Sequence, residues 1–256
     1  MIIDSHCHLE RFKNPVIPKD IFPICIGYSN ESNIRTVRVA EQFNLPYVLG
    51  IAPQTVIFEG LTGLEEWISF IRSKNPKAIG EIGLDFHWAK NQEHIKSEYL
   101  VFEKMLDLAE EMKLPVVIHS RKSDKEILSV LKKRNIHKFL MHCYSGDEHL
   151  AQEFISLGGI LSIPPIHSST RKKVIENVSL ECLVVESDAP YLVREIVEVK
   201  KAIEYISSVK NIDQSLVEEV TTKNAKSFFD LKIAKIGNFQ SFCSSTLPRF
   251  GGRENK

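Results

Sequence analysis

Eight short apolar runs divide this chain, and their spacing constrains the fold more than any other feature. They are MIID (1–4), PICIG (23–27), YVLGI (47–51), AIGEIGL (78–84), PVVIH (115–119), FLMH (139–142), GGILSI (158–163) and CLVVES (182–187). Runs of this length, rich in Val, Ile and Leu and only weakly alternating, are how parallel strands buried on both faces read. Longer amphipathic stretches lie between and after them, at about 31–44, 61–74, 93–113, 122–135, 147–157, 168–178, 196–209 and 214–229. In the clearest of these, Ile95, Tyr99, Phe102, Leu106 and Ala109 follow at steps of four and three, the spacing of one helix face. Strand and helix alternating eight times in a chain of 256 residues predict an α/β fold, a single-domain (β/α)8 TIM barrel over residues 1–230. An open, doubly wound sheet is the alternative.

Two segments depart from the alternation. Residues 9–22 carry Pro15 and Pro18 and no apolar period, so the first crossover helix is expected to be reduced or absent. The final stretch, 231–256, contains GNFQSFCSSTLPRFGGRENK, which has no period and several helix breakers; a loosely ordered C-terminal tail is predicted.

Composition narrows the function classes. Lys plus Arg number 33 and Asp plus Glu number 33, so no bulk positive field draws in nucleic acid, and any such contact must be local. There is no run of about 18 apolar residues to span a membrane. The five cysteines form no CxxC pair, which argues against a disulfide framework or a thiolate zinc site. A reduced, cytoplasmic protein is expected, without an obligate protein partner.

The chemistry gathers where strands end. His6 and His8 flank Cys7, and residues two apart in a strand share a face, so both imidazoles point one way and Cys7 the other. Glu81 lies in the fourth run, with Asp85 four residues on; His119 ends the fifth run, His142 ends the sixth, and Asp188 follows the eighth. Five of eight strands thus deliver His, Glu or Asp near their C-terminal ends, the active-site face of a barrel. Buried apolar strands carry so many ionisable groups only when something offsets the cost of burial, and a cation does so. Four histidines and two carboxylates, one able to bridge, suffice for two divalent ions. Each residue also has a plainer explanation. Glu81 can pair with an arginine, the histidines can bond backbone carbonyls, and Asp188 can cap the turn before Pro190. His with carboxylate suits Zn, Mn or Fe, and open positions admit Mg.

The ordered segments DSHCHLE, GEIGLDF, PVVIHSR, MHCYSG and ESDAPYL resemble the TatD family of metal-dependent hydrolases, from residue 1 to about 230. The resemblance implies a (β/α)8 barrel, a two-metal centre and deoxyribonuclease activity, with DNA as substrate. It also implies that His6, His8, Glu81 and Asp188 hold one ion, and that Glu81 bridges to a second completed by His119 and His142. One position departs: after the third strand the family carries a histidine associated with the substrate phosphate, and this chain has Ala52 in GIAPQ. Asp188 is the natural general base. Arg121 and Ser145 are candidates for substrate contact, and His87 is a candidate phosphate donor, equally readable as an exposed loop residue. Tyr144 is a candidate for stacking on a base, against the plainer reading of a loop tyrosine. Hydrolysis of another bond (a cyclic amide, an ester or an aminoacyl linkage) is the main alternative function, and a non-enzymatic barrel scaffold the second.

Overall fold

The computed structural model of the chain describes residues 1–232; beyond Lys232 the expected loose tail lies outside the described residues. Eight parallel strands follow the eight runs: β1 (Ile2–Cys7), β2 (Ile21–Ile26), β3 (Tyr47–Val48), β4 (Ile79–Asp85), β5 (Val116–Arg121), β6 (Phe139–Met141), β7 (Ile160–Ile163) and β8 (Leu183–Val185). They form two arcs in sequence order, β1 to β3 and β4 to β8. A Leu49–Ile79 bridge joins the arcs on one side. On the other, the Asp188 amide donates to the His6 carbonyl at 2.9 Å and the His8 amide to the Ala189 carbonyl at 2.8 Å. The ring is thereby closed, and the open-sheet alternative is excluded.

The helices are α1 (Asn30–Phe43), α2 (Pro53–Glu59), α3 (Leu64–Arg72), α4 (Gln92–Met112), α5 (Asp124–Arg134), α6 (Glu148–Ser156), α7 (Ser169–Asn177), α8 (Val199–Lys210) and α9 (Gln214–Phe228). Between β1 and β2 there is only a single 3-10 turn at Leu9–Arg11, as the prolines predict. Several helix starts are set by side chains that satisfy otherwise orphaned amides: Asn91 accepts from the His94 amide, Asp147 from that of Leu150 and Ser168 from that of Arg171. Helix α2 was not expected. It is seven residues long, and Pro53 at its first position starts a helix in a stretch to which the apolar periodicity assigns no element.

Strand alternation sorts the core into two layers. Ile2, Cys7, Cys25, Ile79, Ile118, Met141, Leu161 and Val185 belong to the large cluster packed against the helices. Ile3, Ile24, Ile26, Val48, Val117, Leu140 and Val184 form the second cluster, which Phe228 and Phe229 at the end of α9 join. This second set faces inward and fills the barrel. Period two then dictates what comes next: two residues beyond Val117 is His119, two beyond Leu140 is His142, and two and four beyond Val184 are Glu186 and Asp188. The inward face changes from apolar plug to ionisable cluster at the C-terminal ends of the strands.

Candidate metal centre

His6, His8, Glu81, His119, His142 and Asp188 come together at that end. Cys7 turns away into the outer layer, completely buried. Glu81 lies centrally: one carboxylate oxygen is 3.7 Å from His6 Nε2, and the other is 2.6 Å from His119 Nδ1 and 3.9 Å from His142 Nε2. Asp188 Oδ1 lies 3.3 Å from His8 Nε2 and 3.9 Å from His6 Nε2. Asp188 holds a positive φ of 49°, a conformation that Asp tolerates better than most residues, and this turns its carboxylate back over β1.

Three of the four histidines have one ring nitrogen engaged away from Glu81. His8 Nδ1 meets the Ile26 carbonyl at 3.1 Å, His119 Nε2 meets Asp85 Oδ2 at 3.0 Å, and His142 Nδ1 meets Glu186 Oε2 at 3.1 Å. A nitrogen facing a carbonyl or carboxylate must carry the proton, which fixes the tautomer and leaves the opposite lone pair pointing inward. The 2.6 Å approach of His119 Nδ1 to Glu81 lacks hydrogen-bond angles, so this buried nitrogen is left without a hydrogen-bond partner, as is His6 Nδ1. Three compact groups of donor atoms result: His6 with His8 and Glu81; Glu81 with His119 and His142; and His6 with His142 and Glu186. In the last, Glu186 is fully buried and engages the outward nitrogen of His142, the geometry of a residue that orients a ligand.

Electrostatics divide the cluster. Burial, reinforced by the neighbouring imidazoles of His142 and His8, holds His6 well below the usual histidine value. Burial also disfavours a proton on His119, but its contacts with Asp85 and Glu81 prevail and push it up to about 9. His142 is likewise opposed by burial and raised by Glu186 and Glu81 to about 10. Burial alone would raise Glu81, but the surrounding histidines hold it well below the carboxylate range. Without a cation, protons on His119 and His142 neutralise Glu81, and a bound cation would displace them.

The cluster floors a cleft of about 500 Å3 whose walls include Ala52, Gln54 and Arg121. Of the three residues expected to contact substrate, only Arg121 lines it. Ser145 is exposed but is not among the cleft-lining residues. His87 also lies outside the lining, with its ring edge-on to Trp88 at 5.0 Å. Tyr144 is buried, its hydroxyl donating to the Asp147 carbonyl, so it is unavailable for stacking. Burial raises the Cys143 thiol far above its usual value, in keeping with a residue that forms no thiolate.

Sequence reasoning assigned no role to Asp85, Glu186 or Gln54. Glu186 was accessible to it: an acid on an apolar strand, two residues before Asp188 and on its face. Gln54 was not, because α2 carries it to within 3.0 Å of both Asp85 Oδ2 and His119 Nε2.

Comparison with known proteins gives the family. The profile of the TatD related DNase family matches residues 3–230. The chain belongs to this family of metal-dependent hydrolases. It is 31% identical over 250 residues to a Methanocaldococcus jannaschii protein named as an uncharacterized metal-dependent hydrolase, covering 90% of this chain and 98% of that protein. It is 29% identical over 261 residues to the human deoxyribonuclease TATDN3, covering 89% and 94% of the two chains. Among solved structures, the TatD homolog YJJV from Escherichia coli superposes with a TM-score of 0.75 at 20% identity, over 90% of this chain and 98% of that one. That likeness establishes the (β/α)8 fold of the TatD family. Among the described residues no helix is long and apolar enough to cross a membrane.

Proposed function

We propose that the protein is a deoxyribonuclease that hydrolyses phosphodiester bonds at a centre for two divalent ions. His6, His8, Glu81 and Asp188 would hold the first ion, and Glu81, His119 and His142 the second. The observation that carries this reading is the orientation of the imidazoles. The outer nitrogens of His8, His119 and His142 are occupied, and the inward donor atoms are gathered with Glu81 into two compact groups. Such a donor set is costly to bury without a cation and matches Zn, Mn or Mg in ligand type. Bound there, two cations would supply Lewis acidity and a nucleophile available at neutral pH.

The side chains divide the remaining work. Asp188, whose side chain is 14% exposed at the cleft floor, takes the proton of the attacking water at its carboxylate. Arg121, on the cleft wall, donates to a non-bridging phosphate oxygen. Asp85 and Glu186 keep His119 and His142 in the ligating tautomers. DNA as substrate is supported by the family match and by the name of the human relative.

The test is to strip the protein with a chelator, reload it with Mn, Zn or Mg, and incubate it with end-labelled DNA. Cleavage by reloaded protein, absent from stripped protein and from Glu81→Gln, is expected. Intact DNA with every metal would overturn the nuclease reading. Ala52, an apolar side chain on the cleft wall, supports a second reading in which the same centre hydrolyses an amide or ester lacking a phosphate. Turnover of such compounds by protein inert toward DNA would favour it.

A further inference from the structure

We propose that Phe58 and Trp88 form the base-stacking wall of the cleft, receiving an unpaired nucleobase beside the phosphodiester being cut. This rests on the nuclease reading and assigns a subsite within it.

Both rings line the cleft, yet Phe58 is 66% and Trp88 40% exposed, unusual for side chains of this size. Their centroids are 5.6 Å apart with planes at 70°, so one ring meets the other edge-on and a free aromatic face remains for a guest. The two come from different elements, Phe58 from the end of α2 and Trp88 from the turn after β4. A single side chain, Asp85, connects both to the centre. It accepts from the Gln54 amide of α2 at 3.0 Å, from the backbone amides of His87 and Trp88 at 3.0 and 3.3 Å, and contacts His119 at 3.0 Å. The wall is therefore in register with the histidine that it flanks, as a subsite must be if a base and its own phosphate are to be held together.

Charge within the cleft is sparse. The chain has 33 basic and 33 acidic residues, and Arg121 is the one lysine or arginine lining the cleft among the described residues, with Lys90 and Lys122 near His87 and Arg11 against Tyr28 and Tyr191 at its margins. Contacts near the scissile bond therefore matter, and stacking on aromatic rings is the contact that every base can make. A cleft of about 500 Å3 accommodates roughly a nucleotide and not a duplex, so the base enters unpaired.

The experiment measures steady-state cleavage of two short single strands by metal-loaded protein. One strand is fully based, and the other carries abasic residues on both sides of the cut. Phe58→Ala and Trp88→Ala are compared with wild type and with Trp88→Phe, which retains a ring. Neither ring belongs to the buried core clusters, so truncation spares the core. Loss of one stacking contact should raise KM about 5- to 150-fold on the based strand. The variants should match wild type on the abasic strand, and Trp88→Phe should recover most of the loss. Equal losses on both strands, or unchanged KM on the based strand, would overturn the stacking wall and leave the nuclease intact. Absence of cleavage of either strand by wild type would refute the nuclease reading, and the nucleobase assignment would fall with it.

Discussion

The two halves of the candidate centre are built differently although Glu81 serves both. On the β1 side, His6 and His8 come from one strand end, His8 is fixed by a backbone carbonyl, and His6 is held unprotonated by burial. On the β5–β6 side, His119 and His142 come from separate strands, and each is backed by a buried carboxylate, Asp85 or Glu186. A backbone carbonyl orients an imidazole without adding charge, whereas a carboxylate also makes the imidazole more basic. The β1 half is thus mixed, with His6 held free of a proton while Asp188 raises His8 against burial; in the β5–β6 half both histidines hold protons that a cation must displace.

The most severe way to break this comparison is to remove what the halves share. Glu81→Gln should lose metal from both and reduce turnover by several orders of magnitude, with the fold retained. Elemental analysis beside a turnover assay checks this, and equal metal content in variant and wild type would exclude a bridge. Asp188→Asn should act on the β1 half alone, lowering turnover about 10²–10⁴-fold, the usual range for a lost general base. Much of its metal should remain, and recovery to near wild-type rate at saturating metal would make Asp188 a ligand only.

Asp85→Asn and Glu186→Gln probe the carboxylate-backed half. Each should weaken binding of one ion about 10- to 100-fold and leave the other unchanged, as a two-site metal titration would show. Equal weakening at both sites would erase the distinction between the halves.

The smallest effect lies behind the same half. Glu98 is fully buried in α4, where one oxygen accepts the Asp85 amide at 3.0 Å and the other has no partner. Burial raises its pKa from 4.5 to about 7. An acid raised on folding favours the protonated native state, so this stability is fully present below about 4.5 and is lost as pH rises through about 7. Glu98→Gln should remove that loss, changing little at pH ~4 and stabilising by up to about 3 kcal/mol at pH ~8. Thermal melts across this range should show the gap opening with pH, and a constant gap would mean that Glu98 does not titrate there.

Much of the architecture was legible because periodicity is local. The eight strands, the missing first crossover helix and the delivery of His6, His8, Glu81, His119, His142 and Asp188 to one end follow from the apolar runs and where they stop. Counting by twos turns His119, His142 and Asp188 inward, but not His6 or Glu81, because the pairing register shifts between Asp4 and Cys7 in β1 and between Ile79 and Ile82 in β4. Helix α2 escaped because seven residues beginning at a proline carry too little period to register. Phe58 escaped with it, since an aromatic in an apparent loop gives no sign of which surface it faces. The expectations for Ser145 and His87 show the same limit from the other side: proximity in sequence to a strand end suggested the cleft, but neither lines it.

By itself, then, the sequence determined the barrel and the strand ends that carry its ionisable residues, since apolar runs need only nearest neighbours along the chain. Tertiary structure alone decided which nitrogen of each imidazole faces inward. His8 is set by Ile26, His119 by Asp85 and His142 by Glu186, contacts that join residues 18, 34 and 44 positions apart. A tautomer depends on the group opposite the ring, and ring closure chooses that group.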